Sequence, residues 1–166
     1  MRTIDLDAPT PTRESFAPYG VLPPDEGDGQ PTADLEFLLN DGWVNYIAHS
    51  LDEITVRDGH LQCDVLNRHD THTQTLMPMS GDAVVVVAPP DVDFSEPGHV
   101  ATVKAFLLPR NTCVHLHRGT WHWGPYPVSS SDVRVFNIQG RGYPNDNAVA
   151  RLADDLGVIF EVRSGI

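Results

Sequence analysis

The sequence of 166 residues has little positive charge and few cysteines. Lys and Arg number 11 against 23 Asp and Glu, which gives a formal net charge of −12 at pH 7, and Lys104 is the sole lysine. Nucleic-acid partners need clustered Lys and Arg, so this balance argues against one. The two cysteines, Cys63 and Cys113, lack the spacing of a redox or metal site and indicate buried thiols rather than a disulfide framework.

Long apolar runs are also missing. No stretch reaches membrane-spanning length, and the first residues lack the apolar region of a secretory signal. We therefore expect no membrane partner and a cytoplasmic location. The length predicts a single domain over residues 1–166, with a core large enough to need no disulfides.

What the sequence does contain is many short strand-like segments separated by turns. Its 13 glycines and 14 prolines favour turns over long helices, and residues 83–87 form an apolar run typical of a strand covered on both faces. A short helix is predicted after Thr12, and a second helix is predicted from Asn145 or Asp146 to Gly157. Together these features predict an all-β antiparallel barrel or jelly roll with one short N-terminal and one C-terminal helix.

Five of the eight histidines lie in two short segments, residues 67–74 and 115–122, each beside a predicted strand. Alternate residues of a strand share a face, so Asn67 and His69 are predicted to point one way and Arg68 the other. The histidines interpreted as structural or exposed are His49, His60, His99 and His115.

The spacing of these segments resembles the two cupin motifs. Asn67, His69 and Gln74 stand where the first motif has two His and one Glu, and a six-residue spacer and a glycine follow. Residues 117–122 match the second motif, with His in place of its Pro. The resemblance implies a cupin-like barrel in which His69, Gln74 and His122 face one pocket. These three are predicted to hold a divalent metal weakly, or to work without one, because no anionic ligand accompanies them.

Further blocks resemble the ureidoglycolate lyase family and keep that family's order along the chain. They are Phe16-Ala-Pro-Tyr-Gly20, Arg68-His69, Thr73-Gln74, Met77-Pro-Met-Ser-Gly81, Lys104-Ala-Phe106, His117-Arg-Gly-Thr-Trp-His122, Phe136-Asn-Ile138 and Arg141-Gly142. The resemblance implies a carbon–nitrogen lyase that splits ureidoglycolate into glyoxylate and urea in purine breakdown.

The chemistry of that reaction suggests roles for the residues. Histidine titrates near neutrality, so His69 and His122 are expected to serve as acid and base, with the assignment left open. Gln74 is expected to orient the substrate or a metal. The substrate is a small carboxylate, which requires a cation. The candidates are Lys104, Arg118 and Arg141.

Two other functions fit the same residues. One is a divergent cupin enzyme, an isomerase, epimerase or lyase, that acts on another small polar or sugar-acid substrate. The other is a non-catalytic cupin that binds a metabolite. A homodimer is expected in each case, because small barrels commonly cover their strand edges by pairing.

Overall fold

A computed structural model describes residues 1–23, 34–39, 41–142 and 145–163. Strands dominate these residues, which confirms the all-β prediction. The strands are β1 (Arg2–Asp7), β2 (Gly20–Val21), β3 (Gly42–Ser50), β4 (Thr55–Arg57), β5 (His60–Cys63), β6 (Val65–Arg68), β7 (Gln74–Pro78), β8 (Ala83–Ala88), β9 (Lys104–Leu108), β10 (Val114–Leu116), β11 (Trp121–Pro127), β12 (Asp132–Gly140), β13 (Ala148–Arg151) and β14 (Val158–Arg163).

The strands form three sheets. Sheet I has the order β1-β14-β5-β4, sheet II the order β2-β10-β7-β12-β3, and sheet III the order β13-β6-β11-β8-β9. The β1–β14 pair of sheet I is parallel, whereas the strands of sheets II and III pair antiparallel throughout. The described strands thus form stacked sheets rather than one closed barrel. The predicted cupin-like fold is present in this open, layered form.

Sheet III is the middle layer, which explains the uninterrupted apolar run of β8. Val84 packs into one core with Phe160 of sheet I, whereas Val85 packs into a second core with Leu76 of sheet II. Each fully buried valine contributes roughly 1.5–3 kcal/mol of transfer free energy. The prediction that residues 83–87 are covered on both faces is confirmed.

In the described ranges, four short helices join the strands: α1 (Arg13–Phe16), α2 (Leu152–Leu156) and two 3₁₀ helices, Leu51–Glu53 and Pro97–Thr102. Helix α1 begins at Thr12, whose hydroxyl accepts a hydrogen bond from the Ser15 N–H. None of the described helices is long and apolar enough to cross a membrane.

Helix α2 is shorter than predicted, although it ends at Gly157 as expected, with φ of 63°. The prediction that it begins at Asn145 or Asp146 is wrong. Residues 148–151 form β13 instead, because their backbone pairs with β6 and completes the edge of sheet III. This strand pairing satisfies the backbone groups that a longer helix would have satisfied internally.

Candidate functional site

A cavity of about 510 Å³ lies between sheets II and III. Its wall on sheet II comes from β3, β7 and β12, and its wall on sheet III comes from β6 and β11. The lining residues are Asn45, Tyr46, Ile47, His49, Val65, Asn67, His69, Gln74, His122, Trp123, Gly124, Tyr126, Gln139 and Asn147. The predicted trio of His69, Gln74 and His122 is therefore brought together, as the cupin spacing indicated.

His122 occupies the sheet III wall, where β11 pairs it with Asn67 of β6. Its Nδ1–H donates a hydrogen bond to the carbonyl oxygen of Thr120 over 3.1 Å. A carbonyl oxygen can only accept, so the proton lies on Nδ1 and the lone pair on Nε2. Burial, followed by the neighbouring imidazole of His69, lowers the pKa of His122 to about 3. The ring is therefore neutral at neutral pH.

His69 follows β6 and faces the cavity, as strand parity predicted. Its Nδ1–H donates to the carbonyl oxygen of Asp146 over 2.6 Å, and its ring centroid lies 5.2 Å from that of His122. Burial lowers the pKa of His69, and the hydrogen bond to Asp146 works in the opposite direction. Arg68 points to the other side, where its guanidinium lies 4.9 Å from the ring centroid of Trp121.

Gln74 contributes an amide whose orientation is set by a buried network. Its Nε2 donates to Oδ1 of Asn137 over 2.8 Å and to Oε1 of Gln139 over 3.1 Å. Asn137 in turn donates to Oδ1 of Asn45 over 2.7 Å. Among the described residues, the buried Oε1 of Gln74 has no hydrogen-bond partner. This oxygen is therefore a candidate acceptor for a ligand in the cavity.

His72 packs against His69 and so helps to fix the position of the His69 ring. Its ring stacks on that of His69, with centroids 4.7 Å apart and planes 20° apart, and the whole side chain is buried. Gly140 makes this position possible, because a Cβ there would lie 2.8 Å from a carbon of the His72 ring. Sequence reasoning placed His72 in the histidine cluster but gave no sign of this contact with Gly140.

Sequence reasoning also missed His49, which was interpreted as structural or exposed. His49 lines the cavity from β3, and its Nδ1 lies 3.0 Å from Oε2 of Glu53. Two signals in the sequence point to this arrangement: alternation places Asn45, Ile47 and His49 on one face of the strand, and a carboxylate follows four residues later.

The structure places the three predicted carboxylate-binding cations outside the cavity. Lys104 is exposed on β9, the edge strand of sheet III, and β8 separates it from β11. Arg118 forms an ion pair of 2.9 Å with Glu36. Arg141 is exposed just beyond β12. The described lining contains no Lys or Arg, so binding of the substrate carboxylate by these cations stays a prediction.

The metal prediction can be compared with the donors on the cavity wall. In the described part of the chain, no group of three or more His, Cys, Asp or Glu is arranged to hold a metal ion. His69, Gln74 and His122 offer two imidazoles and one amide oxygen, which are neutral donors. They fit a weakly held divalent cation rather than a tight site, because no carboxylate supplies charge.

These features define a class of protein: a cupin-like all-β fold with a cavity lined by histidines and amides. Comparison with known proteins identifies the family. The sequence model described as Ureidoglycolate lyase matches residues 45–155. That match spans more than half of the chain, and the protein belongs to the ureidoglycolate lyase family.

Similar proteins agree with this assignment. The ureidoglycolate lyase of Pseudomonas paraeruginosa is 28% identical over 150 residues, covering 81% of this chain and 80% of the relative. That of Pseudomonas fluorescens is 27% identical over 163 residues, covering 86% and 88% respectively. A solved dTDP sugar isomerase from Desulfovibrio desulfuricans shares 12% identity at a TM-score of 0.44, covering 80% of this chain and 82% of that chain.

Proposed function

We propose that the protein is a ureidoglycolate lyase, a carbon–nitrogen lyase that converts ureidoglycolate to glyoxylate and urea. The observation that carries the proposal is the pairing of His69 and His122 on one cavity wall, 5.2 Å apart between ring centroids. Family membership supports the substrate, because the relatives are named for this activity. No observation favours an isomerase, an epimerase or a non-catalytic binding protein.

The two histidines suit the proton transfers of this reaction. Each donates its Nδ1–H to a backbone carbonyl, so each presents Nε2 for chemistry. One ring accepts the proton of the substrate hydroxyl, and the oxygen's electrons form the carbonyl of glyoxylate. The carbon–nitrogen bond breaks with its electron pair on nitrogen, which is protonated by the second ring after the first has passed it the hydroxyl proton, so both rings end neutral, as they began. Each transfer contributes roughly 10²–10⁴-fold to the rate.

Neutral groups are proposed to bind the rest of the substrate. The unpartnered Oε1 of Gln74 accepts a hydrogen bond from the ureido N–H group. Burial raises the pKa of Tyr126 to about 12, so its phenol stays protonated and can donate to the carboxylate. As an alternative to these proton transfers, a divalent metal bound by His69, Gln74 and His122 would occupy the Nε2 atoms and would polarise a substrate oxygen as a Lewis acid.

The assay is release of glyoxylate and urea from ureidoglycolate by the purified protein. His122→Ala is expected to abolish release, and His99→Ala is the matched control because His99 binds a backbone carbonyl outside the cavity. Binding of glyoxylate without turnover would instead indicate a sensor. Neither turnover nor binding would indicate another substrate. Elemental analysis of the active protein would establish whether a metal accompanies it.

The cellular setting and the assembly belong to the same proposal. We infer a cytoplasmic role in purine breakdown. We also infer a single domain, which is supported by the packing of sheet III against both other sheets. A homodimer is supported by β3, a nine-residue edge strand with Val44 and Tyr46 exposed. Light scattering tests the dimer, and Val44→Lys is expected to shift it towards monomer.

A further inference from the structure

The sheet II wall of the cavity carries an imidazole that is paired with a carboxylate. His49 lines the cavity from β3, and its Nδ1 lies 3.0 Å from Oε2 of Glu53. Oε1 of Glu53 accepts a hydrogen bond of 2.7 Å from the Ser50 N–H, which fixes the carboxylate in place. An ionised carboxylate can only accept, so Nδ1 of His49 carries a proton and Nε2 is the ring nitrogen that a ligand can contact.

Few charged groups surround this ring in the described part of the chain. Tyr126 of β11 packs against it, with ring centroids 4.7 Å apart and planes 45° apart. Opposite His49 in the strand pairing is Val133 of β12, which is apolar. The titratable groups that face His49 are therefore Glu53, Tyr126 and, on the sheet III wall, His122.

Tyr126 supplies a hydrogen-bond donor beside this imidazole. Its side chain lines the same cavity, and burial raises the pKa of Tyr126 to about 12, so the phenol keeps its proton. When Nε2 of His49 also carries a proton, the two neighbouring rings present one O–H and one N–H donor. A carboxylate has two oxygens, and each of them accepts one of these hydrogen bonds.

A positive charge costs less at His49 than at the proposed acid and base. His69 and His122 are 9% and 8% exposed. The side chains of His49 and Glu53 are 21% and 43% exposed, so the pair keeps contact with water. Removing a charge from water is costly unless a counter-charge accompanies it, and Glu53 is that counter-charge. Since the described lining contains no Lys or Arg, His49 is the group on this wall that is best placed to hold a cation.

We propose that His49 and Tyr126 form a carboxylate subsite, in which His49 binds as an imidazolium and Glu53 is its positioning residue. The inference rests on the proposed lyase activity and deepens it, because it assigns the groups that bind the charge of the substrate. One carboxylate oxygen accepts from Nε2–H of His49 and the other from the Tyr126 hydroxyl. A ring that is neutral in the unliganded protein takes its second proton from solvent as the anion binds. The protons of the lyase reaction itself do not pass through His49.

Binding of glycolate and glycolamide tests the subsite without relying on turnover. The two compounds have similar shapes and both carry a hydroxyl, but only glycolate is charged. We expect the wild type to prefer glycolate in an NMR titration. His49→Ala should bind glycolate at least about 10-fold more weakly, because a charge-assisted hydrogen bond is lost, and should bind glycolamide almost unchanged. His49→Lys, which carries a cation, should restore part of the preference.

His99→Ala is the matched control, since His99 lies outside the cavity and binds a backbone carbonyl. A wild type that binds glycolate no better than glycolamide would overturn the subsite. Equal losses for the two compounds in His49→Ala would also overturn it, because a merely structural role moves both affinities together.

The charge on the ring can be observed directly by ¹⁵N NMR. In the glycolate complex, both ring nitrogens of His49 should carry protons. In Glu53→Gln the counter-charge is missing, so the ring should stay neutral and glycolate affinity should fall towards that of His49→Ala. Glu161→Gln is the matched control, because Glu161 pairs with Gln62 in sheet I. A glycolate-bound His49 with one unprotonated nitrogen contradicts the proposal.

Turnover separates the subsite from the proposed function. In His49→Ala, KM for ureidoglycolate should rise at least about 10-fold while kcat changes little, because the lost interaction holds the substrate and moves no proton of the reaction. A fall in kcat with unchanged KM would overturn the subsite. Absence of glyoxylate release by the wild type instead overturns the proposed lyase activity, and the comparison of glycolate with glycolamide still decides whether the carboxylate subsite exists.

Discussion

Nε2 of Gln74 donates a hydrogen bond to Oδ1 of Asn137 over 2.8 Å, and both side chains are buried between the sheets. Asn137 uses its own NH₂ group to donate to Asn45, so its oxygen faces Gln74. These contacts leave Oε1 of Gln74 as the acceptor for a ligand. The orientation of the Gln74 amide, which is proposed to bind the substrate, thus depends on a fully buried asparagine that does not line the cavity itself.

Loss of Asn137 should therefore weaken substrate recognition. In Asn137→Leu, the amide of Gln74 loses a partner and is free to rotate. We expect kcat/KM for ureidoglycolate to fall roughly 10-fold or more because KM rises. The variant should also lose about 1–3 kcal/mol of stability. Asn137→Asp should restore part of this loss, because a carboxylate can only accept from Nε2. An aspartate variant worse than the leucine variant would mean that the amides point the other way. Kinetics and urea unfolding measure both effects.

A methyl group at position 140 should disturb the histidine stack. The added Cβ of Gly140→Ala would lie 2.8 Å from the ring of His72, which stacks on His69. We expect a loss of about 1–3 kcal/mol from overpacking, together with a lower kcat. Gly98→Ala is the control, since nothing lies within 4 Å of its added Cβ. Equal stabilities of the two variants would contradict the contact.

Removal of the Asp146 side chain should loosen His69. Its carboxylate accepts the backbone N–H groups of Asp70 at 3.0 Å and Thr71 at 2.7 Å. Burial acts to raise the pKa of Asp146, but these hydrogen bonds, led by those from Thr71, hold it below its usual value. Asp146→Ala should cost about 1–3 kcal/mol and lower kcat, because the carbonyl oxygen of Asp146 also orients His69. Asp132→Ala, on the exposed end of β12, serves as the control in thermal unfolding and glyoxylate assays.

Acidification should destabilise the protein through His122. Burial lowers its pKa from 6.5 to about 3, so the folded chain keeps the ring neutral where the unfolded chain protonates it. The unfolded state then binds more protons, and stability falls as the pH drops below 6.5. The expected contribution between about pH 8 and about pH 5 is roughly 2 kcal/mol. Urea unfolding of the wild type and His122→Gln measures it; equal losses in both proteins would refute the assignment.

Alanine at the three predicted cations distinguishes the cavity from the surface. Since Lys104 and Arg141 are exposed and Arg118 pairs with Glu36, Lys104→Ala, Arg118→Ala and Arg141→Ala should each change KM by less than about 2-fold. Tyr126→Phe should raise KM more, because it removes a donor from the cavity wall. A large rise in KM for any of the three alanine variants would confirm the sequence-based prediction of substrate-binding cations.

Much of the site could be predicted because it depends on short-range spacing. Strand alternation alone places His69 on the side opposite Arg68, and the interval from Gln74 to the following glycine identifies a cupin pocket. The network around Gln74 could not be predicted in the same way. Asn45 and Asn137 become neighbours only through the pairing of β3 with β12, which no local pattern encodes.

Local pattern also failed where two structures competed for the same residues. Val149, Leu152, Ala153 and Leu156 form the apolar stripe of a predicted helix, yet pairing with β6 made residues 148–151 a strand. Lys104 was a candidate because a carboxylate substrate needs a cation, but sheet order places its strand, β9, at the edge of sheet III.

The sequence by itself determined the strand-rich fold, the two histidine segments and their resemblance to a family, because alternation, turn residues and motif spacing act over a few residues. The tertiary structure alone decided what those segments meet. It stacked sheets II and III around the cavity, placed His49 on its wall, and left the three cations outside its lining. The reason is physical: burial and long-range strand pairing, which no short window of sequence specifies, fix which side chains share a cavity.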